Sequence, residues 1–176
     1  HGSNTDIKEI NLAMCRPYKD FGQGFYLTVM KEQAEKMANR VAHIYGGSPV
    51  LNVYKIDDTF MQLEGLNIKD FGIETSEEWA RFVRNNRNKK FTDFSDPECN
   101  LDKKYDIVIG PTADAETTTL INEYYEELID SRFSDEVCEE VIEQLKPENL
   151  PKQYFFRTED AISTLDFDRV KRQVVG

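Results

Sequence analysis

The run Tyr105-Asp106-Ile107-Val108-Ile109-Gly110 constrains this chain more than any other segment. Three consecutive apolar strand formers without alternation read as a strand buried on both faces, closed by Gly110-Pro111. A strand of that kind belongs near the centre of a sheet, with other elements covering it.

Around it the pattern mixes strands and helices. Gly24 to Val29 is rich in strand formers and follows the glycine turn Gly22-Gln23-Gly24. From Lys31 onward Ala34, Met37, Ala38, Val41, Ala42 and Tyr45 recur at helical spacing, and Gly46-Gly47 ends the pattern before a strand over 50–56. Thr75-Ser76-Glu77-Glu78 offers N-cap residues and a Thr-x-x-Glu box for a helix carrying Trp79, Phe82 and Val83 to about Arg87. A polar loop over 88–104 follows. Beyond the buried strand come two helices, one with Leu120, Ile121, Tyr124, Tyr125 and Leu128, the other with Val137, Cys138, Val141, Ile142 and Leu145. Gln153-Tyr154-Phe155-Phe156-Arg157 reads as a short strand with Gln153, Phe155 and Arg157 on one face, and Thr158 caps a short helix over 159–165. There is no regular βα alternation, repeat or linker, so the expectation is one α+β domain over 1–176.

Composition narrows the function classes. At 176 residues with 39% apolar residues the chain can build a core without staples. Cys15, Cys99 and Cys138 are odd in number and far apart, and His1 and His43 are the only histidines. Neither a disulfide framework nor a metal site is indicated, and the cysteine usage fits a cytoplasmic setting. No apolar run is long enough to span a bilayer, so no membrane partner is expected. The formal charge of −11 disfavours loose binding to nucleic acid, which would need a local basic groove.

Three motifs carry the functional reading. His1-Gly2-Ser3 opens the chain, Asp20-Phe21-Gly22-Gln23-Gly24-Phe25-Tyr26-Leu27-Thr28 precedes the first long helix, and Lys152-Gln153-Tyr154-Phe155-Phe156 lies late. Singly each has a plain reading: a cloning remnant, a turn, a surface strand. There is no phosphate loop, and Gly22-x-Gly24 lacks the third glycine of a dinucleotide-binding βαβ unit.

In this order the motifs resemble the ADP-ribosyltransferase superfamily, in particular its poly(ADP-ribose) polymerase and diphtheria-toxin branch, whose signature is a His, a Tyr and a late Glu. The chain looks closest to small bacterial members. The likeness runs from His1 to about Leu165, although 46–150 matches only in general layout. It implies a split β-sheet core flanked by helices, with NAD as the substrate. His1 would meet the adenosine ribose, the Gly2 backbone would hold the nicotinamide amide, and Ser3 would belong to the same cofactor-binding segment. Gly24 and Tyr26 would face the nicotinamide ring, which Tyr26 would stack on. Arg16 would meet the pyrophosphate. Where relatives carry a second aromatic and a serine, this chain has Met37 and Ala34; Met37 would form a pliable apolar wall, but helix core is the favoured reading of both.

The main departure is Gln153, which stands at the position of the catalytic Glu. An amide keeps a hydrogen bond to the ribose but loses the charge that favours the cation formed when the glycosidic bond breaks. Glu159, a conceivable substitute, lies in a helix cap and is expected to point elsewhere. Exposed salt bridges are the ordinary explanation for Lys19, Asp20, Asn86 and Arg87, and Cys15 has no neighbouring histidine to mark it as a nucleophile. The resemblance therefore implies a mono-ADP-ribosyltransferase-like protein with His1, Tyr26 and Gln153 in the catalytic positions. Its acceptor would be a protein or a nucleic acid. A role as a toxin or phage-defence effector with an antitoxin partner is the natural extension. The alternatives are a catalytically weak or inactive domain that binds NAD, ADP-ribose or a protein, and a relative of RNA 2′-phosphotransferases, against which the charge counts.

Overall fold

The computed structural model describes residues 1–56, 58–73, 75–129 and 150–166. The expected helix over 137–145 lies outside them. In chain order the elements are β1 (Gly2–Ser3), β2 (Phe25–Thr28), α1 (Lys31–Tyr45), β3 (Val50–Leu51), β4 (Lys55–Ile56), β5 (Ile68–Asp70), α2 (Glu77–Arg87), β6 (Ile107–Pro111), α3 (Ala115–Ile129), β7 (Lys152–Phe156), α4 (Glu159–Ile162) and β8 (Leu165–Asp166). The chain is a mixed α+β protein, and none of its described helices is long and apolar enough to cross a membrane.

The main sheet has the strand order β2-β7-β6-β5, and β6, fully buried, lies inside it as its apolar run demands. β7 pairs antiparallel with both β2 and β6, while β5 runs parallel to β6. Period-two geometry then sorts the side chains. The register Tyr26↔Phe155, Thr28↔Gln153, Val108↔Phe155 and Gly110↔Gln153 puts these residues on one face. That face packs against Trp79, Phe82 and Val83 of α2, with Phe21 and Ile121 completing the cluster. Phe25, Leu27, Ile107, Ile109 and Phe156 occupy the other face, against Ile10, Phe60 and Ala161. The sheet thus separates two cores. Gln153 is the polar residue set among the aromatics of the first.

Some elements differ from the sequence reading. The strand expected over 50–56 divides into β3, which pairs with β1, and β4, which pairs with β8. Asn52 lies between them, its Oδ1 accepting from the Ile7 amide and its Nδ2 donating to Thr5 O. Ser76 rather than Thr75 caps α2, accepting from the Trp79 amide at 3.1 Å. Thr158 caps α4 as expected, but the helix stops at Ile162 and Leu165 joins β8.

α1 spans the predicted range, yet it buries only Ala34 and Ala38 and leaves Met37 46% exposed. The reason is close packing on β1. A Cβ on Gly2 would lie 1.9 Å from Ala34 O, so glycine and alanine together let the helix lie directly on the strand. Gly24 is equally confined: a Cβ there would lie 2.3 Å from the Phe155 ring and 2.5 Å from Phe156 O. Gly24→Ala therefore has to displace β7 or a core ring. We expect it to cost about 2–3 kcal/mol in urea unfolding, the usual range for overpacking a filled core.

Candidate functional site

The loop before β2 carries the centre of the site. Asp20 is buried, and its carboxylate accepts hydrogen bonds from three segments remote in sequence. Arg87 Nη1, at the end of α2, donates to Oδ1 at 2.6 Å. Gln153 Nε2, on β7, donates to Oδ2 at 2.7 Å, and the Ala113 amide, just past β6, donates to the same oxygen at 2.9 Å. Arg87 Nη1 also reaches Ala113 O at 2.9 Å, and Gln153 Nε2 reaches Pro111 O at 3.2 Å. Trp79 Nε1 donates to the same Pro111 carbonyl at 3.1 Å.

This arrangement dictates the orientation of the Gln153 amide. A carboxylate can only accept, so Asp20 requires the NH2 end, and Pro111 O takes the second proton. The carbonyl oxygen is left over. Among the described residues Gln153 Oε1 has no hydrogen-bond partner. The residue therefore presents an acceptor and no spare donor.

Tyr26 is locked by its own loop. Its hydroxyl accepts from the Phe21 amide and donates to Gly22 O, both at 2.9 Å, across a turn in which Gly22 takes a φ of 101°. Burial, reinforced by the charge of Asp20, pushes the phenol well above its usual pKa, so it stays a neutral hydroxyl. The ring packs 5.0 Å from Phe155 and 6.3 Å from Phe21. Arg157 Nη1 holds the same turn by donating to Gln23 O at 2.9 Å.

His1 stands at the outer edge of β2. Its Nδ1–H donates to Tyr26 O at 2.8 Å and its ring stacks on Phe25 at 4.5 Å. That bond puts the proton on Nδ1 and leaves Nε2 without a partner among the described residues. Ser3 is buried opposite Val50, and Gly2 lies under α1. The exposed Arg16 donates to the Tyr45 hydroxyl and stands 5.1 Å over the Tyr45 ring. Burial raises the Cys15 pKa, which keeps it a thiol, and Glu159 is exposed in the first turn of α4.

His1 and Tyr26 thus meet across the edge of β2, and Gln153 lies on the same sheet face as Tyr26, one strand away. Asp20 and Arg87 form a pair in which the carboxylate is buried and the guanidinium partly so, rather than the exposed salt bridge expected of them. No signal in the sequence links two charges 67 positions apart.

Fold and site together define a mixed α+β protein with a hydrogen-bonded polar centre built into an aromatic sheet face. A family model described as a protein of unknown function (DUF3990) matches residues 1–167, and the chain belongs to that family. The match includes all three motifs. No curated protein matches the chain, and neither does any solved structure.

Two predictions follow from the Asp20 cluster. Asp20→Ala strands a guanidinium, an amide group and a backbone N–H, and should cost about 3 kcal/mol in urea unfolding. In Gln153→Glu a second carboxyl lies beside Asp20, so its folded pKa is raised above the unfolded value of about 4.3. Such a group stabilises the fold at low pH and loses that contribution as pH rises through its folded pKa. The stability gap between the variant and the parent should therefore widen as pH rises above about 4.

Proposed function

We propose that this protein is a mono-ADP-ribosyltransferase-like NAD-binding protein whose site is formed by His1, Tyr26 and Gln153. The observation that carries the reading is that His1 bonds to the Tyr26 carbonyl at the edge of β2 while Gln153 lies on the adjoining strand β7, on the face of Tyr26, with Gln153 Oε1 and His1 Nε2 both without a partner among the described residues. The small β1–β3 sheet beside the four-stranded sheet also supports a split-sheet transferase core. NAD enters the reading as substrate. The two ribose rings of NAD offer hydroxyl donors, which suit acceptors of this kind.

In this reading Gln153 Oε1 accepts from the hydroxyl of the nicotinamide ribose, and His1 Nε2 does the same at the adenosine ribose. Tyr26 gives the apolar wall for nicotinamide, with its hydroxyl spent on the loop. Arg16 on Tyr45 is a less direct pyrophosphate donor than Arg87, whose side chain is 29% exposed. Met37, half-exposed on α1, would give a pliable apolar wall in this reading. Departure of nicotinamide would leave an oxocarbenium-like ribose, to be attacked by a protein or nucleic-acid acceptor. A toxin or phage-defence role with a protein antitoxin belongs to the same proposal.

A second reading has support of its own. Gln153 carries no charge and the nearest carboxylate, Asp20, is taken up by Arg87, Gln153 and Ala113. A domain that binds NAD or ADP-ribose without turning it over fits these facts too. Calorimetric titration of NAD, paired with an assay for released nicotinamide, separates the two. The transferase reading predicts binding that Gln153→Ala weakens about tenfold, the value of one hydrogen bond, together with slow release of nicotinamide. Binding without release favours the binding domain. Failure of the folded protein to bind NAD overturns both.

A further inference from the structure

Three stretches of this acidic chain, 10–19, 36–56 and 79–92, contain no Asp or Glu and hold ten of its 22 Lys and Arg residues. The fold brings the third stretch to the first, and the first to the middle of the second. Lys89, just past α2, places its ammonium 5.6 Å from the centre of the Tyr18 ring. Two residues before Tyr18, Arg16 stands 5.1 Å over the ring of Tyr45 at the end of α1. Tyr18 is 42% and Tyr45 55% exposed.

Lys89, Tyr18, Arg16 and Tyr45 therefore form a strip in which cations alternate with exposed aromatic rings. Tyr18 takes a φ of 60°, a left-handed conformation that non-glycine residues rarely adopt. The strain is held in place while the ring remains turned to solvent. Lys19 and Lys90 add charge beside it, both exposed. Asp20, the adjacent acid, is buried against Arg87. Asp93 and Asp96, further along the loop, accept from Ser95, Asn85 and the Glu98 amide.

We propose that this strip binds single-stranded nucleic acid. Lys and Arg at this spacing answer phosphates, and exposed rings between them offer stacking platforms for unpaired bases. An acidic peptide would use the cations and leave both rings idle. A duplex, with its bases already stacked, could not use the rings either. The strip adjoins the polar centre: Arg87, two residues from Lys89, reaches Gln153 through Asp20 in hydrogen bonds of 2.6 and 2.7 Å. The strip shares Arg16 with the NAD reading, but Lys89, Lys90 and Tyr18, on which the test rests, lie outside that reading.

Fluorescence anisotropy with a labelled single-stranded oligonucleotide tests the proposal on the whole chain. Affinity should fall steeply with salt. Lys89→Ala combined with Lys90→Ala should flatten the logarithmic salt slope by about 1.4, roughly 0.7 per lost phosphate contact, and weaken binding about tenfold. Tyr18→Ala should weaken binding about fivefold or more with the slope unchanged. These exposed residues lie outside the core, and circular dichroism checks that the variants fold. No oligonucleotide binding at low salt overturns the proposal. So does binding indifferent to both variants, or equal displacement by polyglutamate. NAD titrated into the same proteins separates the two readings: oligonucleotide binding without NAD binding defeats the transferase reading alone, and the reverse defeats this one.

Discussion

Everything near the candidate site depends on one carboxylate taken out of water. A buried charge is tolerated only when its lone pairs are answered, and Asp20 is answered by a guanidinium, an amide and a backbone N–H. Those donors come from the end of α2, from β7 and from the chain after β6. The ion pair is bound up with fold topology: none of the three segments can shift without exposing Asp20 to an unpaired burial. The Tyr26 hydroxyl and Arg157 hold the glycine turn that follows Asp20, so the carboxylate is aimed from a rigid loop.

The same interaction gives a physical account of the glutamine at 153. A glutamate there would set a second carboxylate against Asp20 in a water-poor site, where like charges at this distance cannot both be ionised cheaply. Glutamine supplies the donors that Asp20 and Pro111 accept and keeps its remaining oxygen as an acceptor without a partner among the described residues. The site thereby trades charge for order. What it presents is an oriented acceptor on an aromatic face, a feature suited to holding a sugar hydroxyl and weaker at stabilising a cation.

Where local pattern decides, the sequence was legible. The uninterrupted Ile107-Val108-Ile109 run placed β6 inside the sheet, and the alternation of Gln153 to Arg157 assigned Gln153 and Phe155 to one face. α1 was readable from its period, but its buried stripe is narrower than the apolar residues imply, because Gly2 admits only Ala34 and Ala38 at the contact. β5, three residues with Lys and Asp among them, has no period to read and exists through its parallel pairing with β6. The split of 50–56 follows from where Asn52 finds its partners, and the Asp20–Arg87 pair from a meeting across 67 positions. The basic strip was hidden for a related reason. A net charge of −11 averages over the chain, whereas a ligand meets the surface that folding assembles.

The central claim is that Asp20 and Gln153 act as one unit, and a double-mutant cycle measures that most directly. Unfolding free energies of the parent, Asp20→Asn, Gln153→Leu and the double variant give the coupling between the two side chains. A charge-assisted hydrogen bond in a buried site predicts a coupling of about 1.5–3 kcal/mol. A coupling within about 0.3 kcal/mol of zero, the additivity of independent sites, would contradict the account.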